Sequence, residues 1–216
     1  MRVVDPKALR AACERLPFFP LPGVVLLPGM QLPLHIFEPR YRQMLSDALA
    51  GPRAFAMVQP LATADPRDPS PPICPVAGLG WIVDHASLPD GRSHIILDGV
   101  ARVHLDEIPS GRLYRTARGE PLADQATAGT ETRALVFLGM QIATRVRRLE
   151  PRFGLTLPPG LDAGAICDHL AARLIGDPAV RQQVLEALDV RKRVELVSTA
   201  LASLLHELPG GDGPVS

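Results

Sequence analysis

Lysine and cysteine are scarce in this chain of 216 residues, and neither sign of charge is in excess. Lys7 and Lys192 are the only lysines, and neither follows a glycine-rich loop of the kind that binds nucleotide phosphates. The 23 basic and 23 acidic residues give a formal net charge of zero, which argues against a surface that coats nucleic acid. Cys13, Cys74 and Cys167 are widely spaced, so neither a disulfide framework nor a zinc site is expected.

Long apolar runs and catalytic motifs are also missing. No stretch approaches the ~18 apolar residues that a membrane span needs, and residues 18–34 are interrupted by prolines that a spanning helix would not tolerate. Residues 1–14 carry charges throughout, unlike a signal peptide, so we expect a cytoplasmic protein without membrane contact. The G-x-G-x-x-G, G-x-S-x-G and H-E-x-x-H motifs are absent, so we expect no cofactor, no bound metal and no enzymatic activity.

The first part of the chain, residues 1–122, has the pattern of an antiparallel β-rich lobe with one inserted helix. Prolines and glycines separate short apolar runs, and Asp90-Gly91 favours a type I′ hairpin turn. Tyr41, Met44 and Leu45 lie at helical spacing before the stop at Gly51. Residues 60–75 are rich in proline and aspartate and read as a surface loop. The predicted strands are 24–27, 55–59, 76–85, 93–97, 100–108 and 113–118, and the predicted helix is 38–50.

The second part, residues 123–208, has helical periodicity. After a linker at 123–130, leucines, valines and isoleucines recur at steps of three and four residues. Asp162, Asp177 and Asp189 stand where N-caps are expected, and Pro178 suits a first helical turn. Four such helices predict a small four-helix bundle. The glycine- and proline-rich tail 209–216 is predicted to be disordered.

The densest polar cluster is His35-Ile36-Phe37-Glu38-Pro39-Arg40-Tyr41-Arg42. It contains an acid, a base and anion-binding groups, but its spacing favours a structural role. Glu38 suits a helix N-terminus and lies four residues before Arg42, within reach of an ion pair. Phe37 and Tyr41 are also four apart and are expected to pack together.

Two other functions stay open from the residues themselves. One is an unrecognised hydrolase, for which a triad of His85, His94 and His104 or the Cys167-Asp168-His169 run would supply the chemistry, although adjacent helical positions do not face each other. The other is RNA binding. Its only local basic run consists of Arg145, Arg147, Arg148 and Arg152, flanked by glutamates, and solvated helix charge explains that run more simply.

Three segments resemble the Lon N-terminal domain family. Residues 16–49, LPFFPLPGVVLLPGMQLPLHIFEPRYRQMLSDAL, are similar to its leading motif, a proline-rich strand followed by L-P-L-x-I-F-E-P-R-Y and a helix. The hairpin Asp90-Gly91-Arg92 with the strands after it resembles a second motif, and residues 182–193 resemble the family's helical ending. In the full-length proteases of that name, ATPase and peptidase modules follow this domain. The resemblance therefore implies a stand-alone form that lacks both.

The resemblance implies a PUA-like pseudo-barrel joined to a helical bundle, and a role in recognising unfolded or extended polypeptides or in self-association. A separate protease or chaperone would be a natural partner. Exposed apolar residues should line a binding surface, and Met30, Leu32 and Trp81 are the candidates. The family motif residues are interpreted as structural rather than catalytic. They are His35, Phe37, Glu38, Pro39, Arg40, Tyr41, Asp90, Gly91 and Arg92.

Overall fold

The computed structural model describes residues 4–65, 67–125 and 131–208. The chain divides into two compact units, Met1–Ala123 and Asp124–Ser216, which are described separately below. The predicted disordered tail 209–216 and most of the predicted linker lie outside the described residues. No helix within the described residues is long and apolar enough to cross a membrane.

The first unit is a mixed β-sheet with two helices. Its strands follow the order β2-β5-β4-β3-β1-β6, and β6 also pairs with β5, so five strands close into a ring to which β2 is added. The elements are α1 Pro6–Glu14, β1 Leu16–Pro20, β2 Gln31–Ile36, α2 Pro39–Ala50, β3 Ala54–Val58, β4 Val76–Ser87, β5 Ser93–Ile108 and β6 Arg115–Leu122.

The prediction of a purely antiparallel sheet was wrong at one pair. Strands β1 and β3 run parallel, with Phe18 opposite Ala56. Parallel neighbours need a crossover connection, and here the chain between them contains β2 and α2. The prediction of a single buried strand near 55–59 is confirmed, because every residue of β3 is buried.

The predicted strand at residues 24–27 was also wrong, because the chain there takes no strand conformation. Leu26 and Leu27 are nevertheless fully buried. Their backbone carbonyls lie against Gly78 and Gly99, where a Cβ atom would collide with them. The run packs across the inner face of the sheet instead of along an edge, so its apolar residues enter the core without forming a ladder.

The hairpin between β4 and β5 has a different turn from the one predicted. The amide of Gly91 donates to the carbonyl of Leu88, and the amide of Leu88 donates to that of Arg92. Gly91 has φ +80°, whereas Arg53 is the only described non-glycine residue with positive φ, so Asp90 does not take the type I′ conformation. A three-residue loop with glycine in the left-handed position fits this pattern. Strand β5 then continues through Gly99, where two separate strands had been predicted.

The helix α2 begins and ends close to its prediction, with Glu38 at the N-cap and Gly51 at the C-cap. Its buried face consists of Tyr41, Met44, Leu45 and Ala48. The aromatic ring of Tyr41 stacks on Phe19 of β1 with ring centroids 3.8 Å apart, so this helix is fixed to the sheet through that strand.

The second unit contains four helices, α3 Arg133–Leu149, α4 Ala163–Leu174, α5 Pro178–Glu186 and α6 Val190–Glu207. The three predicted N-caps are confirmed. Asp162, Asp177 and Asp189 accept hydrogen bonds from the amides of Ala165, Ala179 and Arg191 respectively. The last helix, α6, contacts each of the other three.

A fully buried arginine joins the helices of this unit. The guanidinium of Arg193 donates to both carboxylate oxygens of Asp124 at 2.8 and 2.6 Å and twice to the carbonyl of Ala187. Asp168, also buried, lies 3.6 Å away. The charge of Arg193 is therefore stabilised by two carboxylates, which keep its pKa above the usual value despite burial.

Candidate functional site

A groove of about 570 Å³ opens on the first unit beside the proline-rich strand β1. Four segments that are far apart in sequence form it: the end of β1, the start of α2, the loop after β3, and the start of β6. Its lining residues are Phe18, Pro20, Pro22, Arg40, Tyr41, Gln59, Pro60, Leu61, Ala62, Ala64, Asp65, Asp68, Pro69, Ser70, Pro71, Leu113, Tyr114 and Arg115.

The groove has aromatic residues at its base, each held by an arginine. The guanidinium of Arg40 lies 4.6 Å from the ring centre of Tyr41, and that of Arg115 lies 4.9 Å from the ring centre of Phe18. A cation over an aromatic face is attracted by the ring quadrupole. The two rings are thereby kept in place at the base of the groove.

The same two arginines hold the loop that forms one wall. Arg40 donates to the carbonyl of Pro69 at 3.1 Å, and Arg115 donates to that of Pro71 at 2.7 Å. Proline has no backbone N–H, so a proline-rich loop has few amide donors for its own carbonyls. These carbonyls can therefore accept hydrogen bonds from side chains. The positive charges are balanced by Glu38, 2.9 Å from Arg40, and by Glu107, which accepts two hydrogen bonds from Arg115.

The ends of the groove are also fixed by side chains. Gln59 donates to the carbonyl of Val24 at 2.6 Å and accepts from the amide of Gly23, which holds the segment after β1. On the other side, the hydroxyl of Tyr114 donates to Asp47 at 2.8 Å. Burial and this hydrogen bond to a carboxylate raise the pKa of Tyr114 to about 12.

Three polar side chains of the groove have no side-chain partner among the described residues. The side chain of Tyr41 is 4% exposed, and its hydroxyl forms no hydrogen bond with any described residue. Burial raises the pKa of Tyr41, so the hydroxyl stays protonated and can donate. Asp65 and Asp68 accept hydrogen bonds from loop amides, but no described cation pairs with either carboxylate.

Two large apolar side chains stand exposed at the rim. Leu61 is 38% exposed and Leu113 is 65% exposed, and both line the groove. Exposed apolar residues next to a concave surface with aromatic residues at its base are typical of a site that binds another molecule.

The predicted binding residues lie elsewhere in the first unit. Met30 and Leu32 are partly buried against one core cluster, and Trp81 is partly buried against the other. None of the three lines the groove. Sequence reasoning missed the groove because its walls come from four separate segments between residues 18 and 115, although the loop with Asp65 and Asp68 was correctly placed at the surface.

The residues of the first family motif have different partners from those expected. Glu38 pairs with Arg40 and not with Arg42, and both partners are about 40% exposed, so no buried charge network forms. Phe37 is 57% exposed and lies beside His35, with ring centroids 5.7 Å apart, while Tyr41 stacks on β1. Pro39 occupies the first helical position, as expected.

The two family motifs are in contact. The guanidinium of Arg42 packs so closely against Gly91 that a Cβ atom there would collide with it. Asp90 and Arg92 form an exposed ion pair of 2.6 Å within the same turn. The positive φ favours glycine at this position, and a Cβ atom there would also require the flexible end of Arg42 to shift.

The histidine triad does not form. His94 and His104 both lie on β5, ten positions apart, so they do not meet across neighbouring strands. His94 stacks instead on His35, with ring centroids 4.7 Å apart. Among residues 4–65, 67–125 and 131–208, no group of three or more histidine, cysteine and acidic side chains is placed to hold a metal ion.

The residues of the other two alternative sites, the cysteine run at 167–169 and the basic run, form structural contacts. Cys167 and Asp168 are buried, and the nearby guanidinium of Arg193 engages the carboxylate. In the basic run, Arg145 donates to the carbonyl of Leu205 and Arg147 to that of Phe153, so half of its arginines support helix ends.

Comparison with known proteins gives consistent matches. Residues 15–203 match the family described as the ATP-dependent protease La (LON) substrate-binding domain. The Lon protease of Paraburkholderia phytofirmans is 32% identical over 206 residues, and that of Desulfosudis oleivorans is 25% identical over 208. These alignments cover 90% and 92% of this chain, but only 25% of each protease. The chain thus spans about a quarter of the length of these relatives.

Two solved structures share the fold. A Lon N-terminal domain protein from Xanthomonas campestris aligns with a TM-score of 0.60 at 21% identity, over 90% of this chain and 99% of that one. The N-terminal domain of the Mycobacterium avium complex Lon protease aligns with a TM-score of 0.62 at 16% identity, over 87% and 98%. Because the family match extends over most of the sequence, the chain belongs to the Lon substrate-binding domain family.

Proposed function

We propose that this chain binds extended segments of unfolded polypeptides in the groove of its first unit and catalyses no reaction itself. The observation that carries the proposal is the groove itself, with aromatic side chains at its base and exposed Leu61 and Leu113 at its rim. Apolar side chains of an extended chain would enter it, and the free hydroxyl of Tyr41 would donate to a backbone carbonyl.

The family match supports this reading, since the matched family is described as a substrate-binding domain. The proposal does not extend to ATP hydrolysis or peptide cleavage, which belong to the full-length proteases. We further propose that the closed strand ring is a PUA-like barrel and that the four helices act as a four-helix bundle, with the division between these lobes at about residue 122.

A binding assay with matched leucine variants tests the proposal. A fluorescein-labelled, reduced and carboxymethylated protein serves as the unfolded ligand, and anisotropy reports its binding. Leu61→Ser and Leu113→Ser should each weaken binding by about three- to tenfold, because partial burial of a leucine contributes roughly 0.7–1.4 kcal/mol. Leu149→Ser is the control, since this leucine is 64% exposed on α3 and outside the groove.

The proposal fails if the wild-type chain does not bind the unfolded ligand. It also fails if the three serine variants weaken binding equally. Circular dichroism at 222 nm checks that each variant is folded, and exposed positions are chosen so that folding is little affected.

A second candidate surface is the open side of β2, which pairs only with β5. An extended chain adds most readily to such an unpaired edge. We propose that Met30 and Leu32, at the start of this strand, form a secondary contact there. Trp81 lies on β4 against the other core cluster and is proposed as a separate contact. In the same assay, Leu32→Ser should weaken binding less than Leu113→Ser if the groove dominates.

Self-association, and cooperation with a separate protease or chaperone, are further proposals from the family resemblance. Size-exclusion chromatography with light scattering tests the first of them. The proposed location is the cytoplasm, supported by the three cysteines, which form no disulfide with one another.

A further inference from the structure

Two arginines and two aspartates line the groove, but only the arginines have ion-pair partners among the described residues. The positive charge of Arg40 is balanced by Glu38, and that of Arg115 by Glu107. The carboxylates of Asp65 and Asp68 have no such partner among the described residues. Two negative charges therefore remain at a wall of a groove whose base is apolar.

The geometry of the loop turns these carboxylates into fixed features. Asp65 Oδ1 accepts from the amide of Arg67 at 2.9 Å, and Asp68 Oδ1 accepts from the amide of Ser70 at 2.8 Å. One oxygen of each carboxylate is used in this way, and the other is left for a ligand. Although Arg67 stands between them in sequence, its guanidinium pairs with neither and does not line the groove.

The hydroxyl of Tyr41 is the second observation that points to a ligand. This side chain is more than nine-tenths buried, yet its hydroxyl lacks a partner among the described residues and faces the groove that the residue lines. No buried side-chain nitrogen or oxygen lacks a partner among the described residues, so the hydroxyl oxygen itself is accessible and a ligand in the groove can reach it. A backbone carbonyl of an extended chain is an acceptor of the right kind.

We propose that the groove selects polypeptide segments in which arginine or lysine stands next to an aromatic or aliphatic residue, with Asp65 and Asp68 as the residues that determine this preference. The inference rests on the proposed function, since it assumes that the groove binds polypeptide. The apolar side chain would lie against the base of the groove, and the cation would reach the acidic wall.

The preference for cationic segments arises because dissolved salt screens the charges of the groove only in part. A charge pair at a protein surface is worth up to roughly 1 kcal/mol, and ions screen it over about 8 Å at physiological ionic strength. A cationic ligand is attracted and an anionic ligand repelled, so the two effects add in the ratio of their dissociation constants. We expect a ratio of about five- to tenfold at low salt, decreasing as salt is added.

Three labelled peptides with one apolar sequence test the proposal. They differ only at two flanking positions, which carry lysine, glutamine or glutamate, and their dissociation constants are measured by fluorescence anisotropy. For the wild-type chain the order should be lysine tightest and glutamate weakest. In the double variant Asp65→Asn/Asp68→Asn this ratio should fall to within about twofold, because charge removal abolishes the attraction while an amide oxygen still accepts the loop hydrogen bonds.

The control is Glu120→Gln, which removes one negative charge from β6, outside the groove, and is compared with the single variants Asp65→Asn and Asp68→Asn as well. It should keep the wild-type preference. Equal binding of the lysine and glutamate peptides to the wild-type chain would overturn the charge preference but leave the proposed function standing, provided that Leu113→Ser still weakens both. Failure of all three peptides to bind would instead remove the proposed function. A lysine preference that survives in the double variant would refute the assignment to Asp65 and Asp68.

A separate substitution tests the role of the hydroxyl. Tyr41→Phe keeps the stack on Phe19 and removes only the donor, so all three peptides should bind about two- to fivefold more weakly with an unchanged order. Unchanged affinity for every peptide would show that this hydroxyl does not contact the ligand.

Discussion

The buried arginine of the helical unit is the place where one substitution should have the largest effect. Arg193 is fully buried, and the Asp168 side chain beside it is 3% exposed. Arg193→Met keeps most of the apolar stem but removes the guanidinium, together with its hydrogen bonds to Asp124 and Ala187. The carboxylate of Asp168 then stays buried without the cation 3.6 Å away.

The expected loss follows from that geometry. Removing one partner of a buried ion pair typically costs about 3–5 kcal/mol, which is a large part of the ~5–15 kcal/mol that keeps a domain folded. Asp124→Asn should cost less, about 1–2 kcal/mol, because this side chain is 35% exposed and the amide oxygen still accepts one hydrogen bond.

Urea denaturation followed by circular dichroism at 222 nm measures these differences. Arg191→Met is the control, since Arg191 is exposed and uses only its amide as a donor to Asp189. We expect the control to stay within about 0.5 kcal/mol of the wild type. A loss below about 1 kcal/mol for Arg193→Met, or an equal loss for the control, would refute the electrostatic account of this cluster.

Three further predictions concern the first unit. Gly91→Ala and Gly111→Ala should each destabilise the protein by about 1 kcal/mol in urea denaturation, since both glycines have positive φ and the Arg42 guanidinium beside Gly91 can move aside. The phenols of Tyr41 and Tyr114 have raised pKa values, to about 12 for the latter, so absorbance at 295 nm should show no ionisation near pH 10. Because the folded pKa exceeds the unfolded one, stability should be retained below pH 10 and lost towards pH 12. Burial raises the pKa of Cys13 to about 11, so iodoacetamide at pH 8 should label it only after unfolding, as read by mass spectrometry.

The groove is held rigid by contacts within the first unit. Its base is fixed by ring stacking and by two arginines, which also hold the proline-rich wall through carbonyl contacts. A preorganised surface loses little entropy when it binds a flexible chain. The polar groups left over, Tyr41, Asp65 and Asp68, are then the ones available to discriminate between ligands.

The sequence by itself determined the features that depend on neighbouring residues. Aspartates before Ala163, Pro178 and Val190 start the helices because a cap and a first turn need only three or four positions. The same is true of α2, which begins at Pro39, and of the location of the turn at Gly91. The signature of residues 16–49 was likewise sufficient to indicate the family.

Only the tertiary structure decided which distant segments meet. Residues 24–27 have the composition of a strand, but glycines at positions 78 and 99 admit their backbone to the core instead. Glu38 pairs with Arg40, while Arg42 lies against the hairpin at Gly91. The groove depends on strand register and loop closure, which join β1, α2, β6 and the loop after β3. Such contacts are set by packing over the whole unit, so no local pattern in the sequence encodes them.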